Sequence, residues 1–454
     1  MNVALVFPRY KYPSGDAPLG ILYIASTIRE WSETNINFID TTFNPSAKYL
    51  ETALKKRYDI VGISAMTTMI NDAIKVAAVA KRHNPDTKVV IGGPHATVLP
   101  EETLSNPNFD AVVVGEGEMT FLDIIKNGGN FEGIKGVVYR DRKKIVSNKP
   151  RDPIGNLDTI PFPAIDLIDV EKYTRNWFQL DSVSPNLRGM NIIASRGCPY
   201  KCSFCQPTLK RMFGEVVRRR SADNIISEIQ HLHDKFRLSA FMFQDDTFIV
   251  DMKWVFEICD KIIAEKLDLI WGCNVRVNLL SRDLLIKMRS AGLRKINFGI
   301  ESGSQRILDT VYNKGITLQQ VKDAARTSRE LGIRSQGYFM LGAPTETREE
   351  IEQTIRLAKG LDIDEATFSI TTPLPRTYLY DQIKHLITKD FSEFDYYRTA
   401  VFKNPSGVTQ EELSKYKRKA FLRFYLAPKR IMRTIKMVLS PTGVSKSLKK
   451  LKRL

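Results

Sequence analysis

Apolar residues in the first 125 positions form short runs separated by helical patterns. The spacing of three and four residues between apolar positions predicts helices over Leu19–Trp31, Ser46–Arg57, Met69–His83 and Glu101–Leu104. The apolar runs predict strands over Val3–Phe7, Ile36–Ile39, Ile60–Ser64, Lys88–Gly92 and Ala111–Gly115. Strands that alternate with helices form a parallel, doubly wound sheet. We therefore predict an α/β domain over residues 1–125, with any ligand at the carboxyl ends of its strands.

A second series of strands and helices begins near residue 190. Its predicted strands are Asn191–Ala194, Ala240–Gln244, Ile270–Asn274, Lys295–Ile300, Ser335–Met340 and Ala366–Thr371. Helical patterns lie between them, over Asn224–Lys235, Trp254–Lys266, Arg282–Ala291, Leu318–Leu331 and Arg348–Leu361. Six such units predict a (β/α)6 partial barrel over residues 190–385, with its site at the strand carboxyl ends.

Residues 126–189 are interpreted as a connector between the two series. Gly136–Arg140 and Lys144–Ser147 resemble a small hairpin, and Pro161 and Pro163 cannot continue a helix. The remaining residues, 386–454, are predicted to form a helical, basic C-terminal region.

The net charge of +17 is concentrated near the C-terminus. Fourteen Lys or Arg and no acidic residue occur between Lys415 and Leu454, so the rest of the chain is close to neutral. A neutral body argues against a nucleic-acid groove. Apolar residues recur at helical spacing among these basic residues, at Phe421, Phe424, Tyr425, Ile431, Ile435 and Val438. We expect the first helix to pack on the barrel, whereas solvation or contact with an anionic membrane surface both remain open for Ser445–Leu454.

The chain shows no targeting or membrane-spanning pattern. It contains no run of about 18 apolar residues, and its first segment reads as a strand and a loop without the features of a signal peptide. A cytoplasmic location is therefore expected, with peripheral membrane contact as the open alternative. In the cytoplasm thiols remain reduced.

Three of the five cysteines lie within eight residues. Cys198, Cys202 and Cys205 have Cx3Cx2C spacing in the loop after the first strand of the second series, whereas Cys259 and Cys273 are isolated among apolar residues and are expected to be buried. Three thiolates can hold a [4Fe–4S] cluster and leave one iron open to a small chelating molecule. The alternative is structural zinc, which needs a fourth ligand, and no histidine lies nearby.

This motif resembles that of the radical S-adenosylmethionine (radical SAM) superfamily, in which an aromatic residue such as Phe204 precedes the third cysteine. The resemblance implies a [4Fe–4S] cluster on Cys198, Cys202 and Cys205 whose open iron chelates S-adenosylmethionine. It also implies reductive cleavage to a 5′-deoxyadenosyl radical, with a flavodoxin or ferredoxin type of protein as electron donor.

The resemblance further implies contacts to S-adenosylmethionine at successive strand ends. Asp245, the first of two adjacent carboxylates, would contact the methionine amino group. Asn274 and Arg276 would meet the methionine carboxylate or the ribose, and Glu301, followed by Ser302, would accept hydrogen bonds from the ribose hydroxyls. Taken alone, each carboxylate could be a solvated loop acid or a helix cap. Their recurrence in register with the cysteine loop favours the functional interpretation.

The first domain resembles the Rossmann-like cobalamin-binding domain that precedes one large group of these enzymes. Glycines let a backbone approach a flat ligand closely, and hydroxyls can bond to its amides. The residues that carry the resemblance are Leu19, Gly20, Ser64, Thr67, Gly92, Gly93, Pro94, His95, Gly115 and Glu116. The Asp-x-His-x-x-Gly motif that supplies a cobalt ligand in mutases is absent, so His95 is interpreted as a loop histidine that does not bind cobalt. An empty, vestigial domain is the alternative.

Two cofactor modules in one chain imply methylation of an unactivated carbon through methylcobalamin. Cyclisation or rearrangement, as in the anaerobic cyclase of bacteriochlorophyll synthesis, is the alternative. RNA modification and cofactor sensing without catalysis are further alternatives. The substrate implied is a small molecule or peptide, with lipid or isoprenoid, peptide side chain and secondary metabolite all left open.

Overall fold

A computed structural model describes residues 1–9 and 11–431. The predicted apolar positions Ile435 and Val438, and the stretch Ser445–Leu454, lie outside the described residues. The chain forms two compact units. The first contains Met1–Tyr173, Pro207–Arg218 and Asp390–Ser392, and the second contains Thr174–Gln206, Arg219–Lys389 and the chain from Glu393 onward.

The described part of the chain contains fifteen strands. They are β1 (Asn2–Phe7), β2 (Asn35–Asp40), β3 (Ile60–Ser64), β4 (Lys88–Gly92), β5 (Ala111–Val113), β6 (Val137–Asp141), β7 (Lys144–Ser147), β8 (Gly189–Ile192), β9 (Ser195–Arg196), β10 (Arg218–Arg219), β11 (Ala240–Phe243), β12 (Ile270–Val275), β13 (Leu293–Glu301), β14 (Arg334–Leu341) and β15 (Glu365–Ile370).

Fifteen α-helices lie within the same described residues. They are α1 (Leu19–Trp31), α2 (Ala47–Leu54), α3 (Ile70–His83), α4 (Pro94–Val98), α5 (Pro100–Ser105), α6 (Glu118–Lys126), α7 (Val170–Asn176), α8 (Thr208–Phe213), α9 (Ala222–Phe236), α10 (Met252–Ala264), α11 (Arg282–Ser290), α12 (Leu318–Glu330), α13 (Arg348–Gly360), α14 (Tyr378–Ile383) and α15 (Gln410–Tyr425). Among the described residues, no helix is long and apolar enough to cross a membrane.

The first unit is built on a seven-stranded sheet with the order β2-β1-β3-β4-β5-β6-β7. Strands β1 to β5 are parallel, which confirms the predicted doubly wound α/β fold. The strand order reverses between β1 and β3, and sheets of this kind bind ligands beside such a reversal. The hairpin that the sequence places in the connector is β6 and β7. It extends this sheet because β6 pairs antiparallel with β5.

The central strands of this sheet are apolar along their whole length. Val3, Ala4, Leu5 and Val6 of β1 are at most 1% exposed. A parallel strand covered by helices on both faces buries every side chain, so it appears in a sequence as a continuous apolar run rather than an alternating one. The polar and small residues of this unit are consequently found where the strands end.

The second unit contains six parallel strands in the order β15-β14-β13-β12-β11-β8, the predicted partial barrel. Strand β14 alternates, with Phe339 and Leu341 fully buried and Gln336, Tyr338 and Met340 partly accessible. Alternation places the two sets on opposite faces of the sheet. One face therefore packs in the apolar core, while the other presents amide and phenol groups.

The amino-terminal ends of these strands are filled by the segment after α7. The Trp177 ring lies over Gly189, where a Cβ atom would come within 2.0 Å of the ring, and the indole N–H donates to Asn191 Oδ1 at 2.9 Å. Lys295 Nζ donates to the Gln179 carbonyl at 2.7 Å and pairs with Glu365. The carboxyl ends of the strands are left to form the site.

Helix α15 packs on the last strand of the barrel, as expected for the first C-terminal helix. Phe424 meets Phe368 of β15 edge-on with the ring centroids 6.4 Å apart. The Tyr425 hydroxyl donates to the Ala366 carbonyl at 3.0 Å.

Candidate cofactor sites

The three clustered cysteines lie in the loop that follows β9. Backbone N–H groups of Cys205 and Gln206 donate to the Cys202 carbonyl at 3.1 and 3.0 Å, and the Ser203 N–H donates to the Tyr312 carbonyl at 2.9 Å. These bonds fix a compact loop in which Cys202 is 6% exposed and the other two thiols are partly accessible. The sequence placed all three cysteines in this loop.

The thiols are close enough to influence one another. Burial raises the pKa of the Cys205 thiol, the charge of Cys202 raises it further, and the Lys314 ammonium opposes both effects. Crowded thiolates of this kind need a positive partner, and an iron–sulfur core supplies it. In the described residues no three His, Cys, Asp or Glu converge on one metal ion. A cubane binds one thiolate at each of three irons, and three cysteines in one loop offer that set of donors.

Arg276, which follows β12, points at this loop. Its Nη1 group lies 3.3 Å from Cys202 Sγ, and its guanidinium lies 3.7 Å from the centroid of the Tyr200 ring. The sequence predicted that Arg276 meets the methionine carboxylate or ribose, whereas the structure directs it to a cysteine sulfur. Periodicity cannot reveal this contact, because it depends on how two loops fold against each other.

Glu301 ends β13 in a left-handed backbone conformation, with φ of +67°. Its Oε1 accepts a hydrogen bond from Lys314 Nζ at 2.8 Å, which leaves Oε2 without a donor in the described part of the chain. Although burial lowers the pKa of Lys314, the Glu301 charge raises it, and the net shift is upward. A Cβ atom on Gly299 would lie 2.1 Å from Glu301 Oε1 and 2.7 Å from Lys314 Nζ, so a larger residue there would have to displace this pair. No motif or spacing in the sequence indicates a role for Lys314.

The two adjacent carboxylates after β11 face different surroundings. Asp245 is 1% exposed, and its oxygens accept hydrogen bonds from the Ser195 hydroxyl and, at 3.2 Å, from the Ala194 N–H. Burial raises the pKa of Asp245 to about 6, although these hydrogen bonds lower it. Asp246 has an exposed residue surface, yet burial of its carboxyl group also raises its pKa to about 6, although a hydrogen bond from the Gly197 N–H lowers it. Both carboxylates are therefore engaged within the protein, and the contact of Asp245 with methionine stays a prediction.

The other predicted contacts of the second unit differ in accessibility. Asn274 is partly accessible, and its Nδ2 donates to the Asp245 carbonyl at 3.2 Å. Phe204 packs edge-on against Tyr312 with the ring centroids 5.4 Å apart. Ser302 is fully buried, and its Oγ lies 3.3 Å from Thr354 Oγ1. Ser302 therefore supports the end of β13 in this structure, and its predicted contact with S-adenosylmethionine stays a prediction.

Small residues at the strand ends of the first unit are partly accessible to solvent, and we call this set of residues the glycine edge. It consists of Ser64, Gly92, Gly93, Pro94 and Gly115. Gly93 has a φ of +93°, and a Cβ atom there would lie 2.8 Å from the Ala65 carbonyl oxygen. Only a glycine allows the backbone to lie this close to its neighbour, and glycines at strand ends also let a backbone approach a flat ligand closely.

The remaining predicted contacts of this unit lie behind or beside the glycine edge. Gly20 is exposed, with no atom within 4 Å of where its Cβ would be, whereas Leu19 and Thr67 are buried. Glu116 accepts hydrogen bonds from the Ile154 N–H and from Arg218 Nη1, both at 2.8 Å. Its carboxylate therefore ties segments of the unit together, and the predicted contact of Glu116 with cobalamin stays a prediction. A cavity of about 400 Å³ opens beside Gly115 and Glu116.

His95 is buried beneath the glycine edge at 3% exposure. Its Nδ1 lies 3.3 Å from Thr67 Oγ1, and its ring packs edge-on against Phe391 at 6.2 Å. Burial lowers the pKa of His95 to about 4, so the imidazole is neutral at physiological pH. This enclosed position agrees with a histidine that does not bind cobalt.

We expect Gly93→Ala to weaken cobalamin binding at least tenfold, because the new methyl group must displace the Ala65 backbone or adopt a strained φ. Titration of cobalamin followed by its visible absorbance measures the effect. Gly133→Ala is the matched control, since Gly133 has a φ of +74° but nothing within 4 Å of its Cβ position. That control should lose about 1 kcal/mol of stability and keep its affinity. An equal loss of cobalamin affinity in Gly93→Ala and Gly133→Ala would contradict the assignment of Gly93 to the cobalamin-binding surface.

The buried His95 predicts a stability that falls in mild acid. The unfolded chain takes up a proton below the ordinary histidine pKa of 6.5, whereas the folded unit resists protonation down to about 4. Stability is therefore complete above pH 6.5 and falls between pH 6.5 and 4, by about 2 kcal/mol between pH 7 and 5. Urea denaturation of the wild type and His95→Gln at both pH values measures this. The variant should lose less stability on acidification, and equal losses would show that His95 is not responsible.

Comparison with known proteins identifies both units. Residues 15–125 match the family described as the B12 binding domain, and residues 192–358 match the radical SAM superfamily. An uncharacterized methyltransferase of Pyrococcus horikoshii is 39% identical, covering 92% of this chain and 90% of that protein. The anaerobic magnesium-protoporphyrin IX monomethyl ester cyclase of Rubrivivax gelatinosus is 30% identical, and the match covers 93% of this chain and 79% of the cyclase.

A solved structure has the same fold. The radical S-adenosylmethionine methyltransferase TsrM from Kitasatospora setae, solved with cobalamin and a [4Fe–4S] cluster bound, superimposes with a TM-score of 0.70 at 18% identity. The match covers 85% of this chain and 74% of that protein. The chain therefore belongs to the cobalamin-dependent radical SAM enzymes, whose cofactors are a [4Fe–4S] cluster, S-adenosylmethionine and cobalamin.

Proposed function

We propose that this enzyme transfers a methyl group from cobalamin to an unactivated carbon of a small-molecule or peptide substrate. The observation that carries the proposal is the presence, in one chain, of the glycine edge and of a loop of three cysteines with cationic partners. Relatives named as methyltransferases support it, among them the P. horikoshii protein and, at 28% identity, the cytidylyl-2-hydroxyethylphosphonate methyltransferase of Streptomyces wedmorensis.

When bound, the cluster supplies the electron that cleaves S-adenosylmethionine, and cobalamin carries the methyl group. Cys198, Cys202 and Cys205 hold the cluster. The adjacent carboxylates Asp245 and Asp246 are the candidates to receive the methionine amino group, and Glu301 offers Oε2 to a ribose hydroxyl while Lys314 fixes Oε1. In the first unit, the glycine edge supports the corrin.

The inner face of the barrel favours a substrate with polar groups over a lipid. Asn297 Nδ2 donates to Asn274 Oδ1 at 3.4 Å and to the Tyr338 hydroxyl at 3.2 Å. Its Oδ1 is buried without a hydrogen-bond partner in the described residues. Gln336 and Thr367 continue this face through a bond of 3.0 Å. A buried acceptor of this kind costs free energy unless a ligand donates to it, and an alkyl chain cannot.

The test needs no substrate. The cluster is reconstituted without oxygen, cobalamin is loaded and chemically reduced, and S-adenosylmethionine is added. We expect stoichiometric methylcobalamin and S-adenosylhomocysteine. Cobalamin that binds but is never methylated would overturn methyl transfer, and no cobalamin binding would leave only the radical chemistry. The electron donor in the cell and membrane contact through the basic tail stay predictions.

Cyclisation is the second candidate function. The observation in its favour is the 30% identity to the R. gelatinosus cyclase over nearly the whole chain. Formation of 5′-deoxyadenosine without any methylated cobalamin in the same experiment would favour it.

A further inference from the structure

We infer that Arg276 is a positioning residue that donates a hydrogen bond to the Cys202 sulfur and thereby raises the reduction potential of the cluster. The side chain is 7% exposed, and its Nη1 lies 3.3 Å from Cys202 Sγ. Its role is thus different from the contact with S-adenosylmethionine that its place in the sequence suggests.

Contacts from three segments fix the direction of the guanidinium. Nε donates to Asn278 Oδ1 at 3.2 Å, Nη2 donates to the Lys314 carbonyl, and the Tyr200 ring covers one face at 3.7 Å. A guanidinium is planar and carries its donors in a rigid fork, so occupying two nitrogens and one face determines where the third nitrogen points. That nitrogen faces Cys202, and no separate donor group remains for a bidentate bond to a carboxylate.

The charge of Arg276 supports the same assignment. In the described part of the chain, Arg276 forms no ion pair with a carboxylate, in contrast to Lys314, which pairs with Glu301. A buried charge is costly unless an opposite charge lies close to it. As a ligand of the cluster, Cys202 would supply the negative sulfur beside Arg276, and we therefore expect the cation to act on the cluster through this ligand.

The consequence for the cluster follows from its charge. Reduction adds one electron, so a nearby cation and an N–H donor at a ligand sulfur stabilise the reduced form more than the oxidised form. Hydrogen bonds to sulfur and local charge are known determinants of iron–sulfur potentials. The inference rests on the cluster and not on methyl transfer, which could fail without affecting it.

The test is an EPR-monitored redox titration of the full chain with its reconstituted cluster. In Arg276→Gln we expect the ratio of reduced to oxidised cluster, at the wild-type midpoint potential, to fall about tenfold, equivalent to about 59 mV for one electron. Arg276→Lys keeps the charge but not the fork, so a smaller shift in the same direction is expected. Arg282→Gln is the matched control, because Arg282 forms an exposed ion pair with Glu330 and should leave the potential unchanged.

Binding of S-adenosylmethionine to the same variants separates the two possible roles. We expect its affinity in Arg276→Gln to stay within about twofold of the wild type. An unchanged potential together with a tenfold loss of affinity would overturn the inference and restore the contact with the methionine carboxylate. If Arg276→Gln does not take up iron, the redox titration is carried out on Arg276→Lys and Tyr200→Leu. Both variants keep the positive charge and only loosen its placement, so each should shift the midpoint potential of the cluster. An unchanged potential in these two would likewise overturn the inference.

Discussion

Replacing Cys202 by alanine should remove the [4Fe–4S] cluster and abolish cleavage of S-adenosylmethionine. Cys202 is the middle of the three cysteines in the loop, and its sulfur is the one that Arg276 approaches at 3.3 Å. Two remaining cysteines cannot hold a cubane that needs three protein thiolates and one open iron. Iron should therefore fall from about four atoms per chain to well below one after anaerobic reconstitution, and 5′-deoxyadenosine should fall below detection.

The other two cysteines provide the control for this experiment. Cys259 and Cys273 are fully buried in the same unit and lie apart from the loop. Cys259→Ala and Cys273→Ala should each lose about 1 kcal/mol of stability, from the lost packing of the sulfur, and keep a full cluster. Iron retained in Cys202→Ala, or lost in either control at full folding, would contradict the ligand assignment.

Much of the fold could be predicted because local patterns determine it. The unbroken apolar run of Val3–Phe7 is typical of a strand that is covered on both faces, and the structure confirms it as part of β1. The spacing of the three cysteines needs no tertiary information either, since all three belong to one loop. Cofactor identity could be predicted from the same short segments, and the comparisons with known proteins confirm it.

The direction of individual side chains could not be predicted from these patterns. Asp245 and Asp246 are adjacent and chemically identical, and their partners distinguish them only in the folded chain: the Ser195 hydroxyl and the Ala194 N–H for Asp245, and the Gly197 N–H for Asp246. Likewise, Glu116 follows a strand end like a ligand-binding residue but pairs with Arg218, 102 residues away in the sequence. Such contacts depend on which segments meet in three dimensions, and one sequence carries no record of that.

The ion pair between Glu301 and Lys314 is another contact that sequence patterns could not predict, and breaking it should change the stability of the protein strongly. Both side chains are about 10% exposed, and their charged atoms lie 2.8 Å apart beside the cysteine loop. Lys314→Met should destabilise the protein by about 3–5 kcal/mol, because it leaves the Glu301 carboxylate buried without its partner. Urea denaturation measures this. The exposed pair Arg282–Glu330 is the control, since Arg282→Met should cost at most about 1 kcal/mol.

The double variant Glu301→Gln with Lys314→Met distinguishes a structural role for this pair from a functional one. Removing both charges eliminates the unpaired group, so most of the lost stability should return. Cleavage of S-adenosylmethionine should nevertheless stay at least a hundredfold below the wild type, because an amide replaces the carboxylate oxygen proposed to accept the ribose hydroxyl. Recovery of cleavage along with stability would mean that the pair only supports the fold. A stable but inactive double variant would place Glu301 in contact with the ligand.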